Sequence, residues 1–274
     1  MYKISNFSDN DDVKIIDKSG PFEVIEYQRD LSVMPEDAQL AFFCSQMNVR
    51  KRQLKCELSR GNVTIQSGAM QWIAGDVSAT TGIKGAGDFL SKTIRGKVTG
   101  ESVIKPEYTG DGTLVLEPTY KHIILLDLDE WGNSIVLDDG LFLACESTLK
   151  QKAVRRKTFS SAFAGGEGFF NLGLKGSGVV CIESDCPREE LVEITLEDDV
   201  VKIDGNLAIA WSGSLDFTVE RAGKSLLGSA ASGEGLVNVY RGTGKVLLAP
   251  VGNQAMKPQQ VIEKEPVIVG DDDE

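Results

Sequence analysis

Residues able to do chemistry are few in this chain, and their spacing does not assemble a familiar centre. The single histidine, His122, sits in Tyr-Lys-His-Ile-Ile-Leu-Leu, a pattern that predicts a β-strand. One imidazole cannot make a two- or three-histidine metal site. As a general base it would also need a nucleophile, an orienting carboxylate and an oxyanion site. The five cysteines, Cys44, Cys56, Cys145, Cys181 and Cys186, are odd in number and scattered. Cys181 and Cys186 stand closest together, but no second pair at zinc-ligand spacing accompanies them. The 41 acidic residues offer many carboxylates for glycosidase-like chemistry, yet nothing singles out a pair. No catalytic residue, cofactor or metal ligand is assigned, and a non-enzymatic protein is expected.

Three motif fragments fail on inspection. Gly223-Lys224-Ser225 has Thr218 where a phosphate-binding loop needs its first glycine. Asp127-x-Asp129-x-Trp131-Gly132 begins like a calcium loop, but Trp131 replaces an oxygen ligand and Asp138 stands at the bidentate glutamate position; it reads as a hairpin turn. Gly85-Ala86-Gly87-Asp88-Phe89-Leu90 lacks the third glycine of a dinucleotide fingerprint.

The pattern that does recur is structural. Gly100-Glu101, Gly166-Glu167-Gly168 and Gly233-Glu234-Gly235 are spaced by 66 and 67 residues. Each precedes a Gly-x-Gly, first Gly110 and Gly112, then Gly176 and Gly178, then Gly242 and Gly244, and each of these is followed by an apolar run. Upstream, Val63–Ile65, Ile135–Leu137 and Val201–Ile203 run into turn glycines Gly68, Gly140 and Gly205, which read as hairpin signals. A fixed period changes the meaning of each motif. The recurring glycines read as turns and close approaches of backbone, and the repeat as a meander of short strands. Convergence of Glu101, Glu167 and Glu234 on one axis, to hold a cation or polar ligand, is the alternative.

The elements that must carry these residues are expected to form an all-β fold of three tandem repeats of short antiparallel strands. The expected division is an N-terminal extension (1–19), one body (20–252) of three repeats at about 20–118, 119–185 and 186–252, and an acidic disordered tail (253–274). The first repeat carries a glycine-rich insertion between Gly82 and Gly100 whose Asp88–Arg95 stretch is the only short helix expected. Its Lys84 and Lys92 join the three glutamates as a candidate ligand or partner site.

At 274 residues with 41% hydrophobic side chains, the chain can bury a substantial core. Its formal charge of −12 argues against the broad basic surface that nucleic acid requires. Two basic clusters stand against that average: Arg50-Lys51-Arg52 with Lys55, and Lys150, Lys152, Arg155, Arg156 and Lys157. Each reads as a solvated strand edge or as a patch for an anionic membrane surface or acidic partner. The scattered thiols predict a cytoplasmic address, and neither a secretory signal nor a run of about 18 apolar residues is visible.

Taken together, Gln66-Ser67-Gly68-Ala69-Met70, the stretch from Lys84-Gly85-Ala86-Gly87-Asp88 to Gly100-Glu101-Ser102, Leu141-Phe142-Leu143-Ala144 and the repeated glycine signatures resemble the altered inheritance of mitochondria protein 24 family. The resemblance spans roughly Gly20 to Val251. It implies an all-β fold with a threefold duplication similar to the tryptophan RNA-binding attenuation protein, a β-sandwich related in architecture to the double-stranded β-helix. Eukaryotic relatives associated with mitochondrial inner-membrane organisation suggest a scaffold near membranes. The expected function is a non-enzymatic scaffold or protein-interaction protein, self-associating, in the cytoplasm or at the cytoplasmic face of a membrane. A small-molecule or ion-binding module of the double-stranded β-helix type is the alternative.

Overall fold

Alternating and continuous apolar runs become sixteen strands in a computed structural model that describes residues 2–81, 105–155, 170–205, 207–221 and 236–250. The first five strands are β1 (Val13–Ser19), β2 (Phe22–Tyr27), β3 (Arg52–Glu57), β4 (Val63–Ile65) and β5 (Met70–Thr80). Then come β6 (Glu107–Leu116), β7 (His122–Asp127), β8 (Ser134–Leu137), β9 (Phe142–Glu146), β10 (Lys150–Arg155) and β11 (Phe170–Lys175). The last five are β12 (Val179–Ser184), β13 (Val192–Asp204), β14 (Ala208–Ser212), β15 (Asp216–Arg221) and β16 (Leu236–Leu248). One α-helix, α1 (Ala38–Gln46), interrupts them among the described residues.

Every strand pairing is antiparallel, so the fold is all-β. A nine-stranded sheet runs β1-β2-β3-β6-β4-β9-β12-β7, with β5 also on β6, and a seven-stranded sheet runs β10-β11-β8-β14-β16-β13, with β15 also on β16. Side-chain alternation sends successive residues of the central strands into different cores. On β12, Val180 and Ile182 join Ile135, Leu137, Leu174 and Leu247 between the two sheets. Its neighbours Val179 and Cys181 face Phe22, Leu54, Ile65 and Leu114 inside the curl of the larger sheet. A third cluster on the far side of the smaller sheet gathers Trp211, Tyr240 and Val246, with the Trp211 and Tyr240 rings 5.3 Å apart.

The meander of hairpins expected from the glycine turns is not what forms. Gly68, Gly140 and Gly205 do adopt left-handed φ angles of +82°, +76° and +61°. The strands they join, however, never pair with each other. β4 and β5 lie on opposite sides of β6, β13 and β14 on opposite sides of β16, and β8 and β9 belong to different sheets. A turn glycine marks a chain reversal. Which neighbour the next strand finds is set by burial, and both flanks here are apolar enough to enter separate layers.

The first and third Gly-x-Gly pairs occupy the places where long strands bend past one another. A Cβ on Gly112 would lie 2.4 Å from the Ala74 carbonyl oxygen, and one on Gly110 would lie 2.2 Å from that of Asp76. On the equivalent long pair, Leu196 faces Gly244 and Asp199 faces Gly242 across a bulge at Glu197 and Asp198. The middle pair differs. Gly176 and Gly178 lie between two strands rather than within one, in the link that carries the chain from β11 in the smaller sheet to β12 in the larger. Their φ angles are +136° and +143°, and a Cβ on Gly178 would press on the Glu146 carboxylate at 3.3 Å. That carboxylate accepts from the Val179 amide at 3.0 Å, so Gly178 leaves room for the bond that starts β12.

Two further expectations are corrected. Val13–Ser19, within the stretch read as an extension, is β1 and pairs with β2. The helix lies at Ala38–Gln46, where none was expected, while Asp88–Arg95 falls outside the described residues. The tail from 253 onward lies outside them too.

Candidate functional site

The chain between β2 and β3 leaves the sheet, forms α1 and returns, and its base is built from the first basic cluster. The strand-edge reading of that cluster does not hold, because β3, which carries Arg52 and Lys55, lies inside the larger sheet between β2 and β6. Arg52 is 2% exposed. A guanidinium so buried must find an anion and satisfy its fan of donors. Its Nη2 lies 2.8 Å from Glu26 Oε2, its Nε donates to the same oxygen at 3.0 Å, and Nη2 donates to Asn48 Oδ1 at 2.9 Å. Nη1 donates to the Arg50 carbonyl at 3.3 Å.

Arg50 continues the brace. It donates to Glu26 Oε1 at 3.2 Å and to Gln28 Oε1 at 2.7 Å, while its Nη2 donates to the Ser45 carbonyl near the end of α1 at 3.3 Å. Lys51 closes the neck on Asp30 at 2.5 Å, an ion pair that holds the Asp30 carboxyl below its usual range and the Lys51 ammonium above its own. Next to this base, Glu23 accepts from Lys18 at 3.0 Å, Lys55 at 3.1 Å and Arg60 at 3.2 Å. Burial pushes the Glu23 carboxyl up, but hydrogen bonds from Lys18 and Lys55 outweigh it and leave it below the ordinary glutamate value. These charges are paired within the chain, with Arg52, Glu23 and Glu26 buried and Lys18, Lys51 and Arg60 reaching in from the surface.

What the base holds outward is apolar. No residue of α1 is buried, and α1 carries no charged side chain. Leu40, Phe43 and Met47 recur at i, i+3 and i+7, which places them on one stripe of the helix. Met47 is 77% exposed, and Leu31, Met34, Phe42 and Val49 are exposed around the stripe. The Phe42 and Phe43 rings meet edge to face at 5.6 Å.

The other candidates are dispersed. His122 pairs with Ser184 in the β7–β12 register, and burial, then the charge of Arg52, lower its pKa. Burial pushes the Cys145 thiol up to about 12 and raises Cys56 and Cys181 as well, so these are poor nucleophiles. Cys181 and Cys186 sit in different core clusters. Among the described residues no group of three metal-ligating side chains occurs. The false calcium loop is a 3-10 turn, Leu128–Trp131, whose Asp127 carboxylate accepts from the Asp129 amide at 3.0 Å; Trp131 is buried and Gly132 left-handed. Lys150 and Lys152 are exposed on β10, an edge strand, with Lys175 opposite Lys150. Arg155 ends β10, while Arg156 and Lys157 lie outside the described residues. So do Lys84, Lys92, Glu101, Glu167, Glu234, Gly100, Gly166, Gly168, Gly233 and Gly235.

Sequence reasoning singled out Arg52 but read it as a surface cation, and missed Glu26 and the α1 stripe. An available signal was the uncharged run Ala38–Val49 followed at once by three basic residues.

The chain matches a family model described as mitochondrial biogenesis AIM24 over residues 46–251. It is 31% identical over 195 residues to an uncharacterised protein of Streptococcus pyogenes serotype M6, covering 69% of this chain and 76% of that one. A crystal structure of a Streptococcus pyogenes protein superposes with a TM-score of 0.54 at 29% identity, covering 75% of this chain and 90% of that chain. Almost all of α1 precedes the matched range.

Proposed function

From the premise that this chain belongs to the mitochondrial biogenesis AIM24 family, we propose that it is a non-enzymatic scaffold that works by presenting surfaces to protein partners, its own copies included. The observation that carries this reading is the braced excursion. Five polar groups, on Glu26, Arg50, Arg52, Asn48 and Gln28, are spent on holding out a helix with no buried residue. A nine-residue helix is marginal alone in water, and exposed apolar patches of this kind mark interaction sites.

Strand pairing supports reading the body as three tandem repeats. In each third a central ribbon (β6, then β11 with β12, then β16) takes a strand along either side of each half. Five free cysteines are in keeping with a reducing compartment such as the cytoplasm, and among the described residues no helix is long and apolar enough to cross a membrane.

Native mass spectrometry of the gently purified full chain tests the proposal. Discrete assemblies at the bare polypeptide mass are expected. A lone monomer carrying a reproducible excess mass would overturn it in favour of a ligand-binding module.

A further inference from the structure

We infer that the apolar stripe of α1 is the docking surface for a second copy of this chain, so that two copies pair through Leu40, Phe43 and Met47 around a two-fold axis. This rests on the interaction reading above and names its partner. Three features of the excursion select the occupant.

The first is area. Seven exposed apolar side chains, Leu31, Met34, Leu40, Phe42, Phe43, Met47 and Val49, project from one excursion. With aromatic side chains burying roughly 150–250 Å² each when covered and Leu, Met and Val somewhat less, the exposed portions of all seven, the stripe and its flanks together, come to on the order of 800 Å². That is about what each partner contributes to a standard-size stable interface.

The second is charge. Between Arg29 and Lys51 the sequence has three basic residues (Arg29, Arg50, Lys51) and three acidic ones (Asp30, Glu36, Asp37). The excursion is therefore locally neutral, although the whole chain carries −12. The three cations are engaged within the chain, Arg29 by Asp12, Arg50 by Glu26 and Lys51 by Asp30. An anionic bilayer would find no free cation in this excursion, whereas membrane-surface helices are rich in Lys and Arg on their polar face. An oppositely charged protein would find no surplus charge to pair with. A second copy needs neither, and interfaces between identical subunits have apolar, charge-depleted centres.

The third is geometry. The partly buried side of α1 holds Ala41, Cys44 and Ser45, so the stripe of Leu40, Phe43 and Met47 points away from the body. A stripe spaced i, i+3, i+7 is self-complementary across a two-fold axis, where the side chains of one copy fit into the gaps of the other.

Sedimentation velocity of the full chain across a concentration series, compared with the double variant Leu40→Asp/Phe43→Asp, tests this. The wild type is expected to dimerise. The variant is expected to stay monomeric, its dissociation constant raised roughly 100-fold or more by two buried unpaired carboxylates. Because α1 contributes nothing to the core, the two proteins should share one thermal midpoint at concentrations below the dimerisation range. A variant that dimerises like the wild type would overturn the inference and leave the interaction reading standing. A monomeric wild type that floats with phosphatidylglycerol vesicles, and loses flotation in the variant, would overturn the second copy in favour of a membrane. A wild type that does neither and binds nothing would overturn both.

Discussion

At Arg52 the balance of forces is easiest to state. A guanidinium taken out of water costs several kcal/mol, and the cost is recovered only through a close carboxylate and satisfied donors. Glu26, Asn48 and the Arg50 carbonyl supply these. Replacing Arg52 by Ala leaves Glu26 buried with Arg50 as its one remaining cation and Gln28 as its other donor, and should lower stability by about 3–5 kcal/mol in chemical denaturation. Arg52→Lys keeps a charge but loses the fork to Asn48, and should fall between. Glu23 makes a pH prediction. Its carboxyl is held below the ordinary value of 4.5, so its contribution is complete above that pH and drains away as the pH falls toward the lowered native value. Thermal midpoints measured between pH 7 and pH 3 should drop below about pH 4.5, and Glu23→Gln should shrink that drop.

Elements in this fold are governed by where glycine is compulsory and for what reason. Gly112 has ordinary backbone angles, but a Cβ there would strike the Ala74 carbonyl at 2.4 Å and the Val77 side chain at 2.5 Å. Gly140 has open space around it and a φ of +76°. Gly112→Ala should therefore cost more, roughly 3 kcal/mol as overpacking against backbone, than Gly140→Ala, about 1–2 kcal/mol as left-handed strain; urea denaturation of the two variants reads the difference. Gly112 was visible in a 66-residue rhythm with Gly178 and Gly244, and Gly140 as the turn after an alternating run, since local backbone demands repeat with the strands that impose them. Strand order was not visible. A turn such as Asp139-Gly140 reverses the chain whether the next strand pairs locally or crosses to the other sheet, as β9 does. The same rhythm hid that Gly176 and Gly178 join two strands where the other two pairs lie within one. Helix α1 was hidden for a related reason: Leu40, Ala41, Phe42, Phe43 and Cys44 form a continuous apolar run, which shows no periodicity. The basic cluster misled because a buried Arg and a surface Arg look alike until Glu26, distant in sequence, is placed beside Arg52.

For the whole molecule, the proposed pairing joins the −12 charge to the uncharged helix: like-charged acidic copies repel one another, and a neutral apolar excursion is where they would meet. Hydrogen exchange followed by mass spectrometry over a range of protein concentrations tests that claim most directly. An isolated helix of this length exchanges almost freely, so the amides of Ala38–Gln46 should slow as concentration rises while the core strands stay constant. Exchange in α1 that is the same at every concentration would contradict it.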